Sequence, residues 1–375
     1  MPISVRHLPD NPNLEHLRGE AKQLAKRCRS GAVDALELVA TFDPRTTDSG
    51  VVTLAAAQRV IARSYGFANW ARLKDHVGFV TEHTRWPEPA AESAPLDPGA
   101  RADHLLQLGC HNYTRDRTAA VRRARDLLAA EPALGTSNVF TMAVTGAHQE
   151  LSRLLSEDPS AVHATGGPFD WPALLYLAYG RVGDAPGHSA VRTASVLLEA
   201  GADPNAGFLW QGLTSPFTAL TGVLGGGEQD QSAHPDSIAL ARLLLEAGAD
   251  PNDNQALYNR MFSPRDDHLE LLFEYGLGQP FESVWRRRLG DSQLLTHHYP
   301  TPEQMVTEQL RWAAGHGMTD RIRLLLDHGV DPDGRGYHPN FGDQTAYRIA
   351  VLAGFPEIAR LLADAGADTS VVDTN

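Results

Sequence analysis

An all-α array of repeated helix pairs, preceded by a small helical domain, is the fold class that the sequence predicts, and three observations carry it. The nonapeptide LLEAGADPN stands at 197–205 and again, unchanged, at 244–252, and looser copies follow as LLLDHGVDPD (324–333) and LLADAGADTS (361–370). Apolar residues recur at three-to-four spacing along the chain, the period of an amphipathic helix. Glycines at 201, 248, 329 and 366 stand where a left-handed residue closes a helix C-terminus, and the Asp-Pro that follows three of them cannot continue a helix.

The first element group lies within 1–83. NLEHLRGEAKQLAKRC and LAAAQRVIARSYG carry helical periodicity, with Gly31 and Gly66 as stops, and ANWARLKDHV adds a shorter helix. The stretch 84–100, TRWPEPAAESAPLDPGA, is rich in Pro and Ala, lacks periodicity and reads as a linker. The repeated pattern occupies 101–375. Successive helical residues point about 100° apart, so the adjacent leucines of RLLLEAG face a partner helix and the next unit at once. Each Leu-rich helix has an upstream partner: SNVFTMAVTG (137–146), WPALLYLAYG (171–180), SPFTALTG (215–222), QALYNRMF (255–262), TEQLRWAAGHG (307–317) and QTAYRIAVLAG (344–354). Two antiparallel helices and a turn, repeated, make a solenoid whose units touch only their neighbours.

At 101–375 the chain resembles the ankyrin-repeat family. The carriers of the resemblance are QLRWAAGHG, TAYRIAVLAG, SPFTALTG and both copies of LLEAGADPN. GFANWARLKDHV, DWPALLYLAYGR and ALYNRMFSPRDDHLELLFEYGLG further resemble full-length bacterial ankyrin-repeat proteins of actinobacterial type with an N-terminal helical unit. The resemblance implies a solenoid and, by its commonest use, a protein-binding surface. The chain departs from the family pattern in two ways. Its capping glycines at 201, 248, 276, 329 and 366 are unevenly spaced, against a standard period of about 33 residues. Thr218, Arg311 and Arg348 stand where the family has histidine.

Composition narrows the function. With 33 basic against 46 acidic residues the net charge is −13, which repels polyanions, so neither nucleic acid nor an anionic membrane is expected as a partner. The N-terminal stretch has no apolar run of signal-peptide length, and a cytoplasmic location is expected. The two cysteines, Cys28 and Cys110, build no disulfide framework or metal site and are expected to be buried thiols. No cofactor and no metal is expected. GVLGGGEQDQ lacks the Gly-Lys-Ser/Thr of a phosphate loop, the paired histidines of THHYP diverge, and no G-x-S-x-G, H-E-x-x-H or dinucleotide fingerprint occurs.

The surplus residues fall at 205–214, 225–236 and 277–303 and are rich in large side chains. Phe208, Trp210, Trp285, Tyr299, Tyr337, His234, His297, His298 and His338 lie in or beside such stretches. These loops are expected to fold inward and enclose a pocket. The chemistry left open is acid–base work without a cofactor, of the cyclase or dehydratase type, on a small polyketide-like ligand. Asp170, Tyr179 and His268 are the candidate catalytic groups. Asp170 is a base that competes with an N-cap role, Tyr179 is a hydroxyl donor, and His268 follows the Asp266–Asp267 pair. Tyr176, Trp210, Tyr258, Asn259, Arg260, Trp312 and His316 are the candidate ligand-binding residues. Tyr176 and Tyr179 share a helix side, Asn259 and Arg260 replace small inner-helix residues, and Trp312 and His316 lie one turn apart. The alternative function is a protein–protein adaptor.

Overall fold

The computed structural model describes residues 6–9, 11–47, 51–86, 97–113, 118–183, 185–213, 215–228, 231–289, 299–338 and 341–372. His297, His298 and most of the expected linker lie outside them. The described chain is mostly helical, with a few strands of two to four residues. It divides into two compact units: the first comprises 1–85, 209–215 and 283–299, and the second comprises 86–208, 216–282 and 300–375.

In the first unit, α1 (Leu14–Arg29), α2 (Val33–Phe42), α3 (Pro44–Thr47), α4 (Leu54–Ser64) and α5 (Trp70–His83) follow one another. Asn13, Thr53 and Asn69 cap α1, α4 and α5, each accepting a first-turn backbone N–H on its side-chain oxygen. Helix α1 packs on α4, burying Leu17, Ala21 and Leu24 with Val60 and Ile61. Strand β1 (Thr84–Arg85) pairs in parallel with Leu209–Trp210, so the aromatic segment at 209–215 belongs to this unit. Helix α16 (Val284–Leu289), numbered by its place in the chain, packs on α5, where the Trp285 ring lies 5.5 Å from Phe79 and 5.2 Å from His83. Tyr299 receives the Arg286 guanidinium at 5.1 Å from its ring centroid. Three aromatics expected in a pocket of the repeat array, Trp210, Trp285 and Tyr299, are thus packing residues of the N-terminal unit. Their sequence positions sit in the array, but the Trp285 ring packs on α5, the Tyr299 ring faces Arg286 of α16, and Trp210 is held by backbone pairing with β1.

The second unit holds α6 (Pro98–Gly109), α7 (Thr118–Ala130), α8 (Val139–Thr145), α9 (His148–Glu157), α10 (Ala173–Tyr179), α11 (Ala190–Glu199), α12 (Ala219–Leu224), α13 (Ser237–Glu246), α14 (Asn254–Met261), α15 (Asp267–Glu274), α17 (Pro302–Gly315), α18 (Thr319–Asp327), α19 (Ala346–Leu352) and α20 (Pro356–Asp364). Contacts sort these into two rows. Helices α6, α8, α10, α12, α14, α17 and α19 each pack on the next, and α9, α11, α13 and α15 do likewise in the second row, as do α18 and α20. The six partner segments named from sequence are α8, α10, α12, α14, α17 and α19 of the first row.

Local chemistry sets each reversal. Gly201, Gly248, Gly329 and Gly366 have φ of 98°, 98°, 76° and 97°, the left-handed region that glycine enters without Cβ strain. After α11 the N–H groups of Gly201 and Ala202 return to Leu198 and Leu197, the bonding pattern of a helix end that stops cleanly. The turns then tie neighbour to neighbour. Asn205 donates to the Gly248 carbonyl and accepts from Asp250 N–H, Asn252 bonds Gly278 and Gln279 in the same way, and Asp333 accepts from Asp368 N–H.

Between α10 and α12 an aromatic core closes over Trp171, Tyr179, Phe208, Phe217 and Tyr113, with ring centroids 4.8–6.4 Å apart. Gly222 lets Tyr179 approach, since a Cβ there would lie 2.6 Å from the tyrosine ring. Arg181 is buried beside it without a carboxylate. Its guanidinium donates to the carbonyls of Ala178, Gly180, Gly222 and Ser232. Burial pulls its pKa down to about 10. Cys28 and Cys110 are both buried thiols, and no described helix is long and apolar enough to cross a membrane.

Candidate functional site

Tyr176 and Tyr179 do not line a cavity. Both are fully buried. The Tyr176 hydroxyl donates to the Gly166 carbonyl (2.7 Å) and accepts from Phe169 N–H, and Tyr179 donates to the Thr218 carbonyl (2.9 Å). Burial raises the pKa of each. A tyrosine whose only proton serves a backbone carbonyl in the core is a packing residue with a satisfied tip.

His268 is likewise buried in the first turn of α15, with its Nδ1 3.8 Å from an Asp267 carboxylate oxygen. Burial pushes its pKa down to about 4, with the Arg260 and Arg321 charges adding to the effect. It is held neutral, sealed from any substrate. Arg260 is buried against Asp267 (2.7 Å). Asn259 is buried too, donating to the Tyr113 hydroxyl (2.8 Å) and accepting from Gln255 (2.9 Å). Asn259 and Arg260 were expected to face water or ligand because burying them is costly; the cost is offset by partners, one of which comes from 146 residues away. Asp170 is exposed at φ 51°, two residues ahead of Pro172, which occupies the N-cap position of α10. Trp210, half-buried, belongs to the N-terminal unit.

Tyr258, Trp312 and His316 do come together. On α14, Tyr258 meets Phe262 edge-on at 5.3 Å, and Phe262 meets Trp312 of α17 edge-on at 5.0 Å. Trp312 stacks on His316 one turn later at 3.8 Å and lies 6.3 Å from Phe341. His338 stacks beside Tyr258 at 6.2 Å. Pairs of this kind contribute about 0.5–1.5 kcal/mol each. The row is open to solvent at one edge: Phe262 is 36% exposed and His316 is exposed, while Tyr258, Trp312, His338 and Phe341 are half-buried. The Tyr258 hydroxyl donates to Glu228 (2.8 Å), and its pKa is raised to about 12 by burial and that carboxylate.

Beside the aromatic row, α17 carries a buried ion pair. Arg311 donates to Glu308 (3.0 Å) and to the Gly342 carbonyl (2.7 Å), and its guanidinium lies 5.3 Å from the Phe341 ring centroid. His338 N–H reaches the same Glu308 oxygen, Oε2, at 3.4 Å. The backbone at Gly336 lies so close that a Cβ there would collide with both Arg311 and Glu308. Tyr337 donates to Asn254 at 2.7 Å, fastening this loop to α14. Glu308 Oε1, Gln309 Oε1, Arg311 Nε and Trp312 Nε1 are buried with no hydrogen-bond partner. Burial raises the Glu308 carboxyl pKa above its usual range, against the opposing pull of Arg311.

This set was only partly visible in the sequence. Trp312, His316 and Tyr258 were singled out, and Arg311 was noticed as a replaced histidine. Glu308 and Gln309 were passed over, although EQLRW places two large polar residues and an arginine on an inner helix that otherwise favours small ones. Among the described residues no group of His, Cys, Asp or Glu has the arrangement to hold a metal ion. The face exposes ring surface, and the Glu308 carboxyl, the Gln309 carboxamide and the Trp312 indole N–H are buried on the same helix. No protein-family model matches the chain, and no curated protein matches it.

Proposed function

We propose that this chain is an ankyrin-type repeat array that binds a planar small molecule against the aromatic row of α14 and α17. The repeat reading is supported by the two helix rows, the left-handed glycines and the turn-to-turn side-chain bonds. The binding reading rests on one observation: a contiguous row of six rings, open at its edge, flanked by buried polar atoms that no protein group satisfies. Orphaned buried polar atoms cost about 1–3 kcal/mol each in a resting protein, and a ligand recovers that cost. Proton transfer on such a ligand, in a cyclisation or dehydration without cofactor, falls to Glu308, the carboxyl that neighbours the aromatic row on α17.

The protein-adaptor reading is favoured by the exposed edge at Phe262 and His316, which a partner side chain would cover. The two readings separate in one titration. With naphthol as probe, followed by the indole N–H resonance of Trp312 and assigned by its loss in Trp312→Phe, saturable one-to-one binding is expected. Trp312→Ala, which lacks that resonance and is read by equilibrium dialysis of naphthol, is expected to weaken binding about tenfold, the loss of one stacked ring. Absence of a saturable shift, or full affinity in Trp312→Ala, would remove the small-molecule site and leave the adaptor.

A further inference from the structure

The aromatic row says that a ligand is flat; it does not say which flat molecules are preferred. From the unpartnered acceptors at its border we infer that Glu308 is the specificity-determining residue, admitting planar ligands that carry a hydroxyl or N–H donor, of the phenol or enol class. The inference rests on the binding site proposed above and deepens it.

Four observations converge on Glu308. Glu308 is 3% exposed, its partners Arg311 and the His338 N–H both lie on Oε2, and the Tyr337 backbone also hydrogen-bonds the carboxyl. Oε1 is buried with no partner. The next residue, Gln309, is 2% exposed and donates to the Leu257 carbonyl, and its own Oε1 also goes unused. The four unmet atoms here are two acceptors, Glu308 Oε1 and Gln309 Oε1, and two donors, Arg311 Nε and Trp312 Nε1; Glu308 Oε1 is the one that belongs to a carboxylate, and the group it lacks is a donor. Buried charged acceptors are the costliest atoms to leave unpaired, which makes a neutral apolar guest a poor match.

The placement ties this need to the aromatic row. Glu308 and Trp312 are four residues apart on α17 and so lie on one side of the helix. Two residues that touch Glu308 are themselves attached to the rings, since His338 stacks with Tyr258 and Arg311 lies over Phe341. The aromatic row and Glu308 thus share the neighbours His338 and Arg311. What covers the pair is the loop backbone near Gly336. Donor access to Oε1 requires that segment, Gly334–His338, to shift, and it is held by the Tyr337–Asn254 hydrogen bond and the weak His338–Glu308 contact.

The alternative explanation, that Glu308 is merely half of a structural ion pair with Arg311, makes a different prediction, so naphthol and naphthalene can decide between them. They share a ring system and differ by one donor. On the wild-type chain, affinities read from the Trp312 indole resonance are expected to favour naphthol about tenfold. In Glu308→Met/Arg311→Met both charges go together, so no buried ion is stranded and the fold is preserved. That variant is expected to bind naphthalene as the wild type does and to lose the naphthol preference. Equal wild-type affinities, or a preference that survives in the double variant, would overturn the inference while leaving the aromatic site standing. Failure of both probes to bind would remove the site itself, and the inference with it.

Discussion

His268 shows burial outweighing a nearby carboxylate, since Asp267 favours the charged ring and the pKa still falls. Its ring is enclosed with Asp267, Arg260 and Arg321 around it, and Arg321 in turn holds Asp266 at 2.6 Å. Protonation would add a third cation to two arginines, so the neutral form is the one the fold accepts. The folded pKa, about 4, lies below the 6.5 of an ordinary histidine. This stabilisation is therefore complete above pH 6.5 and is lost as pH falls toward 4. Asp253 has the opposite sign. Its carboxyl is buried and accepts from Thr221 (3.1 Å), from Ala256 N–H (2.9 Å) and from Thr218, and its pKa is raised from 3.8 to about 6, so stability is lost as pH rises through that window and the loss is complete above pH 6. Comparing variants isolates the histidine. In urea unfolding at pH 7 and pH 5, His268→Gln is expected to lose about 2 kcal/mol less on acidification than the wild type. Equal losses would mean that His268 is reached by solvent and titrates normally.

At the scale of the element, helix-to-helix distance is set by which residues lack side chains. Helices α10 and α12 meet where the Tyr179 ring rests on Gly222. Gly222→Ala places a methyl 2.6 Å from that ring, and because Tyr179 is anchored through its hydroxyl to Thr218 it cannot rotate away. A loss of about 1–3 kcal/mol in unfolding free energy is expected, read by thermal or urea melts; a neutral outcome would mean that the two helices slide apart freely. The same scale shows what sequence conveys and what it does not. The repeated nonapeptide, its glycines and its Leu pairs could be read directly, because the conformation they require is local: a left-handed residue is needed wherever a helix stops and the chain reverses. Helix α2 was missed, since VDALELVATF is short and has only two buried residues to mark its period. The partners of the surplus segments were invisible for a different reason. Aromatic content announces that Trp210, Trp285 and Tyr299 must be buried, but not against what, and their partners turned out to lie on β1, α5 and α16 in the N-terminal unit.

For the molecule as a whole, the second unit is a row of short helices whose charged and aromatic residues are sorted by neighbours far away in sequence. Asn259 finds Tyr113, Arg321 finds Met261 and Asp266, and Gln309 finds Leu257, each partner at least 52 residues distant. Long-range satisfaction of this kind cannot be read from spacing, which is why Asn259 and Arg260 looked like ligand contacts and Glu308 did not. What marks the α14–α17 face is the coincidence of ring faces open to solvent with four unmet polar atoms on α17. The claim that this face is a binding site is tested most directly by the crystal structure of the chain with naphthol. The account predicts the naphthol ring in van der Waals contact with Trp312 and Tyr258, its hydroxyl donating to Glu308 Oε1 and the Gly336 loop displaced. Naphthol seated elsewhere, with the Trp312 face bare, would contradict it.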